Sequence, residues 1–208
     1  MNNGQPLGSL FVIAAPSGAG KTTLVKALVK ARPDIRFSIS HTTRLPRTSE
    51  RKGIDYFFIK KQEFEEMVEA GAFLEHALVF GNYYGTSRAA AESQLNQGHD
   101  VLLEIDWQGA QQVKQAMPEC RTVFILPPSQ AELERRLRGR KTDDDAEIAR
   151  RLKQSVADMA RWDEFDYVVV NDDFDQALED LMAIVMGQGE LFRSTEQNLQ
   201  GLLQDLLA

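Results

Sequence analysis

The stretch from residue 10 to residue 31 limits what this chain can fold into more than any other. Leu10 to Ala14 reads Leu-Phe-Val-Ile-Ala, a short all-apolar run suited to a strand covered on both faces. Thr22 to Ala31 is rich in Leu, Ala, Val and Lys and reads as a helix stopped before Arg32-Pro33. Between them stands Ala15-Pro16-Ser17-Gly18-Ala19-Gly20-Lys21-Thr22, a near match to the phosphate-binding pattern G-x-x-x-x-G-K-[ST]. Its glycines let the backbone turn N–H groups towards phosphate oxygens, and the helix adds the positive end of its dipole. Lys21 is placed to reach β- and γ-phosphates, and the Thr22 hydroxyl suits Mg²⁺. Ala15 occupies the first glycine position, where the chain leaves the strand and a Cβ fits. A strand before and a helix after favour a bound nucleoside triphosphate over an idle turn.

Composition narrows the class. The 208 residues fit one domain, or a core with a small mobile insert. Cys120 is the only cysteine, which excludes a disulfide within the chain, and His41, His76 and His99 stand singly rather than as a ligand cluster. No apolar run approaches the roughly 18 residues of a membrane span, and the start Met-Asn-Asn-Gly lacks a signal peptide's basic end. The expectation is a cytoplasmic protein without a membrane partner. A net charge of −7 argues against nucleic acid. Yet Arg44, Arg47, Arg51 and Lys52 gather in one stretch, and Arg135, Arg136, Arg138, Arg140, Lys141, Arg150 and Arg151 in another. Two arginine clusters on an acidic chain point to small phosphates, with solvated helix faces as the alternative for many of these side chains.

Further along, Ile35–Ser40 alternates as a half-exposed strand, residues 41–50 form a proline-broken loop, and 53–59 read as another strand. A helix is expected from Lys61 to Ala70, a strand from Phe73 to Phe80, a turn over Gly81–Thr86, and a helix capped by Ser87 running to about Asn96. The rhythm of buried strands and helices resumes with a strand at 100–106, a helix from about Gln108 and a strand at 122–126. Ser129 and Glu132 form a capping box before a helix at 130–138. Another helix runs from Thr142 to about Arg161, followed by a strand at 165–170 and a helix at 174–186. Strands alternating with helices imply an α/β fold with a doubly wound parallel sheet.

Several residues then acquire candidate roles. Asp106 ends an apolar strand, as does the acid that orients Mg²⁺ in phosphate-loop enzymes. Asp106-Trp-Gln-Gly109 also spells D-x-x-G, but no Asn-Lys-x-Asp accompanies it, which argues against a switch GTPase. Arg136 and Arg140 share a helix face, and Arg151 lies across the following turn, as a mobile lid over a transferring phosphoryl group requires. The alternative is a salt-bridged surface hairpin. Arg44 and Arg47 suit a bidentate monophosphate clamp, and Tyr56 and Tyr84 add either phenolic hydrogen bonds or core packing. Glu75 either matches the adjacent N–H donors of guanine or faces outward from its strand; Ser40 and Thr86 would complete contacts to a base.

The runs Ser40-His-Thr-Thr-Arg44-Leu-Pro-Arg47, Glu50, Gly53-x-Asp55-Tyr56, Phe73-Leu-Glu75, Gly81-Asn-Tyr-Tyr-Gly85-Thr86, Asp106-x-Gln-Gly109 and Asn171-Asp-Asp resemble the guanylate kinase signature over about residues 8 to 187. The resemblance is to the bacterial members. It implies a P-loop nucleoside monophosphate kinase fold with an inserted GMP-binding region and a helical lid, and the reaction of ATP and Mg²⁺ with GMP or dGMP. It divides the chain into a core (1–36, 96–128 and 162–187), a GMP-binding region (37–95), a lid (129–161) and a C-terminal helical extension (188–208). By position, Ala15 to Thr22 and Asn171 would serve ATP, and Lys21, Arg44, Arg136, Arg140 and Arg151 the transfer. Ser40, Arg44, Arg47, Glu50, Tyr56, Glu75, Tyr84, Gly85, Thr86, Glu104 and Asp106 would surround GMP. Thr22 and Asp106 would hold the metal, directly or through water. Thr86 and His41 replace serines common in the family, and Glu104 replaces an aspartate. The competing readings are a catalytically silent scaffold module binding peptides in the former GMP cleft, and a kinase for another nucleotide. Leu199, Leu202, Leu203 and Leu206 fall on one helical face, so the extension either packs on its own core or, the preferred expectation, joins subunits into a homo-oligomer.

Overall fold

A computed structural model describes residues 6–79, 81–139 and 144–208. In chain order its elements begin with β1 (Leu10–Ala14), α1 (Lys21–Ala31), β2 (Arg36–Phe37), β3 (His41–Thr42), β4 (Phe57–Phe58) and α2 (Lys61–Glu69). Next come β5 (Phe73–Val79), β6 (Asn82–Ser87), α3 (Arg88–Asn96), β7 (Val101–Glu104) and α4 (Trp107–Ala116). The chain closes with β8 (Arg121–Leu126), α5 (Gln130–Gly139), α6 (Asp145–Met159), β9 (Tyr167–Val170), α7 (Phe174–Val185) and α8 (Gln200–Leu206). These elements form two compact units, one of Met1–Val12 with Pro33–Cys120, the other of Ile13–Arg32 with Arg121–Ala208.

The first unit holds strands in the order β2-β7-β1 and a separate mixed sheet in the order β4-β3-β6-β5. β2 runs parallel to β7, with Arg36 opposite Val101. Val101, Leu102 and Leu103 are fully or almost fully buried, as a strand covered on both faces should be. Of the expected strand at 35–40 only Arg36–Phe37 is strand, as β2, and the chain pairs again just beyond it at β3. The expected turn at 81–86 is mostly strand: Asn82–Ser87 forms β6, antiparallel to both β3 and β5. Tyr83, Tyr84 and Thr86 are strong strand formers, and the intervening Gly85 hides their pattern in the sequence. Under the sheet, Phe64 of α2 stacks on Phe73 and Tyr83.

In the second unit β8 and β9 run parallel, with Val123 opposite Tyr167. Asp166 accepts from both the Thr122 backbone N–H and its hydroxyl, and its own N–H donates back to the Thr122 Oγ1. That reciprocal set fixes the register where the two strands begin. The Ser129 hydroxyl caps α5 by accepting from the Glu132 N–H at 3.1 Å. The reciprocal half of the expected capping box gives way to ion pairs, because Arg135 and Arg136 take the Glu132 carboxylate. Helix α6 is capped by Asp144 and ends at Met159; its expected start at Thr142 lies outside the described residues. In the C-terminal extension Leu206 is fully buried and Leu199 nearly so. Asp205 and the Leu206 carbonyl accept from Gln130 at 3.1 Å each. Thus α8 packs within its own unit, the first of the two uses its leucine stripe allowed. Among the described residues no helix is long and apolar enough to cross a membrane.

Candidate active site

In the second unit the loop at residues 15–20 joins β1 to α1. Gly18 and Gly20 both take φ of 96°, in the left-handed region that a side chain disfavours, and a Cβ on Gly20 would run into the Asn171 amide. The loop's carbonyls are tied from behind. The Ser155 hydroxyl donates to Ser17 O at 3.2 Å, and Ala19 O accepts from Asn171 Nδ2 at 2.7 Å and Arg136 Nη1 at 3.3 Å. A trans peptide points its C=O and the next N–H in opposite directions. Anchoring Ser17 O and Ala19 O on one side therefore turns the N–H groups of Gly18 and Gly20 to the other. Lys21 and Thr22 open α1 beside these donors, at the positive end of the helix. The arrangement is one for an anionic, phosphate-bearing ligand.

Helices α5 and α6 repeat one local device. Glu132 bonds Arg135 and Arg136, and Glu147 bonds Arg150 and Arg151, three and four residues on in each case. These guanidinium partners hold both carboxyls down at about 2, with Arg135 and Arg150 the leading causes. Arg136 and Arg151 are the better shielded of each pair, with side chains 21% and 18% exposed. The Arg136 Nη2 also donates to Asn171 O at 3.0 Å, and a Cβ on Gly18 would press on Leu133 and Leu137. Arg140 lies outside the described residues. Asn171, expected near a nucleotide base, is 5% exposed, and its side chain braces the loop backbone.

The first unit carries the other candidate cluster. Arg44 donates from Nη2 to Glu50 Oε1 at 2.8 Å and from Nη1 to Leu45 O at 2.9 Å, while lying over the Tyr56 ring. Burial works against the charge on Arg44, but the hydrogen bonds of Glu50 and Tyr84 outweigh it and raise its pKa. The same pairing holds Glu50 below the usual carboxylate range, against the effect of burial. Arg47 donates its backbone N–H to Glu50 Oε2 at 2.8 Å and leaves a side chain that is 71% exposed. Tyr56 and Tyr84 meet edge-on at 5.9 Å. Burial, followed by the charge of Glu104, pushes the Tyr56 phenol up to about 12, so it stays protonated and able to donate.

Glu75 is 3% exposed, which decides against an outward-facing strand residue. It sits opposite Thr86 across β5 and β6, and the fully buried Thr86 hydroxyl donates to Glu75 Oε1 at 2.6 Å. Ser40 is buried nearby in sequence to β3, and Gly85 pairs with both His41 and His76. Asp106 is the N-cap of α4, its Oδ1 accepting from Gly109 N at 2.8 Å, so its D-x-x-G spacing serves a helix start.

Comparison with known proteins decides the family. The family model described as guanylate kinase matches residues 8–188. The chain belongs to the guanylate kinase family. A guanylate kinase of Escherichia coli O157:H7 is 53% identical over 203 residues, covering 97% of this chain and 98% of that one. The guanylate kinase of Salmonella choleraesuis strain SC-B67 is 52% identical with the same coverage. In structure, the chain is similar to the crystal structure of guanylate kinase from Anaplasma phagocytophilum, with a TM-score of 0.74, 32% identity, and 96% and 95% of the two chains covered. The fold is therefore that of the P-loop nucleoside monophosphate kinases, and the guanylate kinase reading prevails over both the scaffold and the other-nucleotide readings. Sequence reasoning missed the roles of three residues in this guanylate kinase. Ser155 carried a signal, as a lone hydroxyl seven residues from Ile148 and four from Met159 on the buried face of α6. Gln112 carried none, and Gly109 was legible only as part of Asp106-x-Gln-Gly109, not for its close approach to Glu75 on β5.

Proposed function

We propose that this chain transfers the γ-phosphoryl group of ATP to GMP, giving ADP and GDP, with the second unit holding the donor and the first the acceptor. The loop N–H groups and Lys21 would bind the ATP phosphates, and Arg136, Arg151 and Arg140 would neutralise charge on the transferring group. Arg44 and Arg47, with Tyr56 and Tyr84, would grip the GMP phosphate. Glu50 aims the Arg44 fork before the ligand arrives, which lowers the ordering cost of binding. Glu75 and Thr86, with Ser40, Gly85 and Glu104, would take the base. No nucleophilic side chain is needed, since phosphoryl transfer depends mainly on positioning and charge.

The donors available suit Mg²⁺, which prefers hard oxygen ligands and keeps several waters. Among the described residues no cluster of three or more His, Cys, Asp or Glu could hold a metal. Thr22 would ligate it directly and Asp106 through water, with phosphate oxygens supplying the rest. When bound, the ion would offset the charge of the β- and γ-phosphates. The division into core (1–36, 96–128, 162–187), GMP-binding region (37–95), lid (129–161) and extension (188–208) belongs to this proposal, as does a cytoplasmic setting.

The buried Glu75 carboxylate carries the choice of GMP. An acceptor-only group next to a hydroxyl already turned towards it matches guanine N1–H and N2–H₂, and adenine offers no such pair. ADP formation from MgATP should be measured with GMP, AMP, CMP and UMP for the wild type and Glu75→Gln. Turnover with GMP alone, reduced in the variant, is expected. Equal turnover with AMP would sink the assignment of base choice, and none with any acceptor would sink the activity.

A further inference from the structure

Helix α4 grips β5 at the residue following Glu75. Gln112 Nε2 donates to His76 O at 2.8 Å, and His76 N donates to Gln112 Oε1 at 3.1 Å. One side-chain amide thus satisfies both backbone groups of His76, as a neighbouring strand would. It does so on β5, which ends the sheet order β4-β3-β6-β5. The help is placed where β5 needs it. Its register with β6 is irregular between Phe73 and Glu75, and a bulge lets the strand rotate locally and re-aim its side chains. Pairing with β6 alone leaves the direction of the Glu75 carboxylate underdetermined.

One turn earlier on α4, Gly109 gives that carboxylate room. A methyl group there would lie 2.6 Å from Glu75 Oε2 and 3.1 Å from Cδ, so the carboxylate would have to move aside. The Gly109 N–H is already taken by Asp106, so the contribution of Gly109 to Glu75 is space. Oε1 is held by Thr86, Oε2 lies against the bare backbone of Gly109, and the adjoining peptide groups are held by Gln112.

We propose that α4 is the template that aims the base-reading carboxylate, with Gln112 and Gly109 as positioning residues for GMP selectivity. The proposal rests on Glu75 reading guanine. Neither residue touches substrate; both act through Glu75.

The test uses the full chain and compares wild type, Glu75→Gln, Gln112→Met, Gly109→Ala and the double variant Glu75→Gln/Gln112→Met. KM and kcat are measured for GMP, for ATP, and for IMP, which lacks the 2-amino group. Gln112→Met keeps the length and loses both hydrogen bonds. It should raise KM for GMP about tenfold and narrow the preference for GMP over IMP, with kcat and KM for ATP changed less than about twofold. Gly109→Ala should do the same, although alanine is the better helix former. The double variant should bind GMP no worse than Glu75→Gln alone, because coupled residues are not additive. Additive effects, equal losses for GMP and ATP, or an unchanged GMP preference in both single variants overturn the proposal. If Gln112→Met does not fold, Gly109→Ala alone decides between these results. Should Glu75→Gln leave GMP affinity and the GMP–IMP preference untouched, the base-reading assignment itself fails and the template role with it.

Discussion

The Asn171 side-chain amide donates to the carbonyl oxygen of Ala19 at 2.7 Å, across 152 positions of sequence. The backbone carbonyl of Asn171 accepts from Arg136 at 3.0 Å. One residue at the end of β9 therefore braces the phosphate loop and receives an arginine of α5. Asn171→Asp puts an acceptor against the Ala19 carbonyl, and an unmet buried polar group costs about 1–3 kcal/mol. KM for ATP at saturating GMP should rise at least about fivefold. An unchanged KM for ATP would show that the loop holds its shape without this bond.

Thr86 offers a two-way test of the Glu75 pair. Thr86→Val keeps the shape of the side chain and removes the donor to Oε1, leaving a buried carboxylate with one bond fewer. GMP affinity should fall about tenfold, with ATP affinity unchanged, and Thr86→Ser should restore most of it. Isothermal titration with GMP distinguishes these outcomes, and a silent Thr86→Val variant counts against the pair.

The Glu50 carboxyl gives a pH dependence of known sign. Its folded pKa is lowered from the ordinary 4.5, as the Arg44 and Arg47 bonds prevail over burial. Such a group adds stability above its unfolded value that is lost as pH falls through the folded one. Melting temperature measured from pH 7 to pH 3 should drop more steeply for the wild type than for Glu50→Gln. Parallel curves would mean that Glu50 is not coupled to folding.

Leu206 separates packing from assembly. With no exposed surface, it should cost about 2–5 kcal/mol when replaced by alanine. Chemical denaturation of Leu206→Ala reads this loss. Sedimentation of the same variant should give the wild-type mass, and a change of mass would instead return the leucine stripe to a role between subunits.

What was legible in the sequence was local. The phosphate loop needs a strand, two glycines and a helix start in one stretch, and all are contiguous between residues 10 and 31. Helix caps such as Ser87 and Ser129 are read from neighbours three residues away, and each makes its backbone bond. β6 was hidden because its stability lies in partners on β3 and β5, while Gly85 interrupts its own pattern. Asp106 reads equally as a strand-end acid or a helix cap, and only the bond to Gly109 tells which the backbone uses. Gln112 sits on a helix like any polar residue; its partner lies 36 positions away and presents only backbone.

The bond pair between Gln112 and His76 has a consequence outside catalysis. A terminal strand with open N–H and C=O groups is a template on which another chain can add itself. By filling both groups at one point along β5, the glutamine occupies a position that an incoming strand would need in order to continue the ladder. Gln112→Met should therefore make this protein more prone to ordered self-association on storage, a cost borne by solubility rather than by turnover.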